Sequence, residues 1–72
     1  MSTRERHIGS VDLAQFAARS IVTADLDVTL VRQRFYSPDG SQLLAELGCT
    51  PSAARKYAAL LLAGAQTLEP LP

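Results

Sequence analysis

Residues 57–65, YAALLLAGA, are apolar on nearly every side of any helix they form. A helix apolar all round has to be buried. A chain of 72 residues has little to bury it with, because so short a domain hides only about 60% of the surface its unfolded form exposes. This segment is therefore expected to meet another protein surface, most simply a second copy of the chain. Its aliphatic run, 58–63, falls far short of the ~20 residues that span a bilayer, so a membrane is not an expected partner.

Charge narrows the choice of partner. Seven bases oppose seven acids, which excludes a polybasic tail or a strongly cationic nucleic-acid clamp. The opening MSTRERHIGS is charged but has no apolar segment after it, so no secretory leader is expected. One cysteine, Cys49, cannot close an intramolecular disulfide, and with the single histidine, His7, it cannot build a zinc site. The expectation is a reduced, cytoplasmic protein with no metal, no cofactor and no enzymatic activity.

The local patterns favour helices. Residues 1–9 form a polar, flexible arm. Ser10 resembles an N-cap with Asp12 in the first turn, and Leu13, Ala14, Ala17, Ile21 and Ala24 repeat at helical spacing, so a first helix is expected over about 11–23. Residues 25–36 allow two readings. Leu26, Val28 and Leu30 alternate with Asp27 and Thr29 as in a strand. Leu26 with Leu30, and Val31 with Phe35, are also i, i+4 pairs as in a helix capped by Asp25. Ser37-Pro38-Asp39-Gly40 fits either a hairpin turn or a cap followed by proline at the first helical position. Leu43, Leu44 and Leu47 favour the helix. Thr50-Pro51 is a second cap-and-proline pair, opening a helix that runs to about residue 65. The expected fold is all-α, three to four short helices in one domain over 10–66 with a frayed tail at 67–72. The alternative is α-β-β-α, with a hairpin turning at 37–40.

The run from Leu43 to Arg55 resembles a helix-turn-helix. Leu47, Gly48, Cys49 and Thr50 fill in order its apolar, glycine, small-apolar and capping places, and Ala54 fills the inward position of the recognition helix. It is also similar to the winged-helix family of gluconate-type repressors, whose Pro-Ser-Glu start stands ten residues before the turn glycine, as Pro38 does before Gly48. The family's wing is not carried over. The resemblance implies a helix-turn-helix at about 38–65 in a small DNA-binding regulator of phage or bacterial type, acting as a homodimer on double-stranded DNA. Thr50, Ser52, Ala53, Arg55 and Lys56 would then face the major groove, where an arginine can pair with guanine. Arg32, Arg34, Arg4 and Arg6 are candidate phosphate contacts, and Tyr57, Leu60, Leu61 and Leu62 the candidate dimer or partner contact.

The rival reading is a helical interaction module, such as an antitoxin or an inhibitor, docking through the apolar C-terminal helix. Two lookalikes fall away. Asp25-Leu26-Asp27-Val28-Thr29 resembles the nucleophile motif of haloacid-dehalogenase-type phosphatases, but no acidic pair follows it and the chain has one lysine. Read as a calcium loop, it places Leu30 at the glycine position and Tyr36 at the glutamate position.

Overall fold

The structure, a computed structural model, describes residues 4–69. It is a four-stranded antiparallel sheet followed by one helix, an α+β fold. Strands β1 (Glu5–Leu13), β2 (Ala18–Asp25), β3 (Leu30–Tyr36) and β4 (Leu43–Cys49) pair with their chain neighbours in the order β1-β2-β3-β4, and α1 (Pro51–Leu68) follows directly. A single 3-10 turn, Ala14–Phe16, links β1 to β2.

Alternation explains the strands. In β3, Val31, Gln33 and Phe35 fall on one face and Arg32, Arg34 and Tyr36 on the other. β2 contributes Ser20, Val22 and Ala24 to the first face and Ile21, Thr23 and Asp25 to the second, and its β-branched run suits a pleated surface. The register sets Val22 opposite Gln33 and Gln33 opposite Leu47, so the apolar positions of three strands line up on one side.

The all-α expectation is thus overturned, and the helix-turn-helix with it. The expected helix over 11–23 is the end of β1, a turn and most of β2. The expected helix over 25–36 is a turn and β3, and the supposed first helix of the motif is β4. Gly48, assigned to the motif's turn, is a strand residue paired with Arg32. The flexible arm over 1–9 is corrected from Glu5 onward, where β1 begins, and α1 continues past the expected end of the domain at 66. Residues 1–3 and 70–72 lie outside the described residues. The strand alternative placed the chain reversal near 37–40, where β3 does turn into β4, but its first helix is also absent.

The turns are held by short-range polar contacts. Asp25 accepts from the backbone N–H groups of Asp27 (3.0 Å) and Val28 (3.3 Å), so the acids of the D-x-D-x-T run shape a turn between strands. That turn carries Thr29 at φ 56°, in the left-handed region, and the β1–β2 connection carries Ala17 at φ 50°. Between β3 and β4, the Asp39 carboxylate accepts from Ser37 and Ser41, and Gly40 supplies a φ of 79°. At the start of α1, Thr50 is extended (φ −67°, ψ 159°) and its hydroxyl accepts from the Ala53 N–H, with Pro51 as the first helical residue.

A core in the usual sense is missing among the described residues. Among the described residues Ala18 is the one buried hydrophobic, and α1 has no buried residue. The helix touches the sheet chiefly along β3 and otherwise stands off it.

Candidate functional site

The two faces of the sheet differ in chemistry. On the polar face an ion-pair ladder crosses the strands. The Arg34 guanidinium donates to Glu5 of β1 at 2.7 Å and to Glu46 of β4 at 2.8 Å. Arg32 donates to Asp25 at 3.2 Å and lies 3.8 Å from Glu46, while the Thr23 hydroxyl donates to Glu5 at 2.7 Å. The register creates this ladder by placing Arg34 opposite both Ile21 and Glu46, within reach of β1 across β2.

These contacts displace the charged groups from their ordinary titration ranges. The hydrogen bond from Arg34, and then that from Thr23, hold the Glu5 carboxyl below its usual value. At Asp25, desolvation pushes upward and is outweighed by donation from Arg32 and from the Val28 and Asp27 backbone, so the net displacement is downward. Glu5 and Glu46 together raise the Arg34 guanidinium above its already high range.

On the opposite face the sheet and α1 enclose an open cleft of about 710 Å³. Val22, Phe35 and Leu47 line its sheet wall, and Ala54, Tyr57 and Leu61 its helical wall. Among the described residues no charged side chain lines it. Its polar exception is a pair on the floor, where Gln33 Nε2 donates to Ser20 Oγ at 3.3 Å. Tyr57 and Leu61 remain 55% and 62% exposed although they face the sheet. The cleft is therefore an unfilled apolar surface.

The sequence-derived site residues separate into groups. Thr50 caps α1 as expected of a capping residue, and Ser52, Ala53, Arg55 and Lys56 are exposed on its first turns. They follow a strand, so the two-helix frame that would present them to a major groove does not exist. Arg32 and Arg34 are held by carboxylates, and Arg4 pairs with Asp27 at 2.9 Å. Arg6 lies exposed on β1. Tyr57 and Leu61 face the cleft, whereas Leu60 and Leu62 are exposed on α1 without lining it.

Sequence reasoning missed the sheet half of this surface. The signal available was the alternation of Val31, Gln33 and Phe35 with Arg32 and Arg34. Among the described residues no three His, Cys, Asp or Glu side chains gather as metal ligands, and no helix is long and apolar enough to cross a membrane. No protein-family model, curated protein or solved structure matches the chain.

Proposed function

We propose that this chain is a small, non-enzymatic protein-interaction module that works by docking its apolar sheet-and-helix side against a protein surface. The carrying observation is the uncovered helix, with 18 residues and none buried, set beside a sheet wall that presents Val22, Phe35 and Leu47. Contiguous apolar surface of this kind marks an interaction site in proteins that remain soluble. The expected docking helix of the interaction reading is retained, and the sheet wall is added to it.

DNA binding loses the features that motivated it, because the recognition-helix frame is replaced by β4 and because Arg32 and Arg34 already satisfy carboxylates.

Carbene footprinting of the native protein tests the docking reading. Phe35 and Leu61 should be protected from labelling in the assembled state, while Leu26, exposed in the β2–β3 turn, is labelled freely. Protection of Phe35 and Leu61 in a folded monomer with no bound species, α1 having closed on its own sheet, would contradict it.

A further inference from the structure

We infer that the protein surface covering this cleft is a second copy of the same chain, so that the folded unit is a two-fold dimer joined through the cleft and α1. The inference rests on the docking reading above and specifies its partner.

The first support is area. The chain exposes 5804 Å², whereas a compact chain of 7.7 kDa exposes about 4,300 Å². The excess, roughly 1,500 Å², is within the range each partner contributes to an obligate homodimer and well above the ~800 Å² per partner of a standard-size stable interface. The radius of gyration agrees, at 13.9 Å against about 11 Å for a compact domain of this length.

The second support is shape. A two-fold joint uses the same patch on both partners, so one chain must supply both a receiving and a projecting element. This chain does. The cleft between sheet and helix receives, and α1 projects, with Leu60 and Leu62 on either side of Leu61 at 73% and 58% exposure. A small apolar molecule in the cleft would cover Phe35 and Leu61 yet leave Leu60 and Leu62 bare.

The third support is charge. Among the described residues the cleft has no ionised lining residue, and Arg32 and Arg34 on the opposite face are paired with carboxylates. The uncharged cleft lining does not call for a partner of opposite charge, and two such linings meet without repulsion.

Sedimentation equilibrium at micromolar concentration tests the inference. The expected mass is twice 7.7 kDa, and thermal unfolding should shift to higher temperature as protein concentration is raised, since dissociation is coupled to unfolding. Leu61→Glu should abolish the dimer, as monomer or as unfolded chain. The concentration dependence of the unmutated protein stands independently of how that variant folds. A folded monomer whose Phe35 and Leu61 are labelled by carbene overturns the second copy and leaves the docking reading intact. A folded monomer with both residues protected, α1 having closed on its own sheet, overturns both. A monomer that carries a small apolar molecule in the cleft also overturns the dimer.

Discussion

Thr29→Gly should stabilise the protein, contrary to the usual effect of a glycine introduced beside a strand. Thr29 is held at φ 56° between β2 and β3. For an L-residue the left-handed region costs about 1–2 kcal/mol, and a β-branched side chain makes it a genuine outlier. Glycine occupies that region without the steric cost, but its freer unfolded chain takes back about 0.5–1 kcal/mol. The net expectation is a gain of about 0.5–1 kcal/mol. Thr29 is exposed, so little packing is lost with its side chain. With a urea m-value near 1 kcal/mol per molar for so small a protein, the unfolding midpoint should rise by about 0.5–1 M. Both proteins must be compared at one concentration, because assembly contributes to the midpoint. Thr29→Asn should give a smaller gain, asparagine being tolerant of the left-handed region. A midpoint lowered by the glycine would refute the left-handed turn and, with it, the register of β2 against β3.

Other expectations follow from the same contacts. Thr50→Ala removes the acceptor for the Ala53 N–H and should cost about 1 kcal/mol in chemical denaturation. Glu5 and Asp25 titrate below their ordinary values of 4.5 and 3.8, and Asp39, held by the Ser37 hydroxyl and then by Ser41, is brought down to about 2. Because these folded-state values are depressed, their stabilisation is complete above about pH 4.5 and is lost as pH falls towards 2. Circular dichroism against pH should show that loss, and Glu5→Gln should make it shallower. Arg55→Ala, at an exposed position, should change stability by less than about 0.5 kcal/mol. The interaction reading expects it also to leave fluorescence anisotropy with DNA unchanged across a salt series, whereas a loss of sequence preference would restore the DNA reading.

The C-terminal helix was legible because its signals are local. Thr50 caps, Pro51 starts the helix, and no breaker follows until Gly64. The sheet was obscured by spacing. Val31 and Phe35 are four apart, and an even separation satisfies a strand face as well as a helical one. Two register irregularities deepened the ambiguity. One lies between His7 and Gly9, and the other between Phe35 and Tyr36, where Tyr36 pairs with Leu43 and Phe35 with Ala45. Leu44 is thereby passed over, so the leucines read as a helical cluster rather than an alternating row. The partners of Arg34 stand 29 and 12 positions away, at Glu5 and Glu46. No local pattern shows such pairings. The apolar C-terminal surface was visible in 57–65, but its sheet wall depended on the strand register and so was not.

Isotope-filtered NOE spectroscopy on a mixture of ¹³C-labelled and unlabelled chains tests the central claim most directly, that the apolar side of one copy is covered by another. Mixing is followed by unfolding and refolding so that the copies exchange. The account predicts intermolecular cross-peaks joining the methyls of Leu60, Leu61 or Leu62 in one copy to the Phe35 ring or Val22 of the other. A folded protein with no intermolecular cross-peaks, every contact of Phe35 and Leu61 arising within one chain, would contradict it.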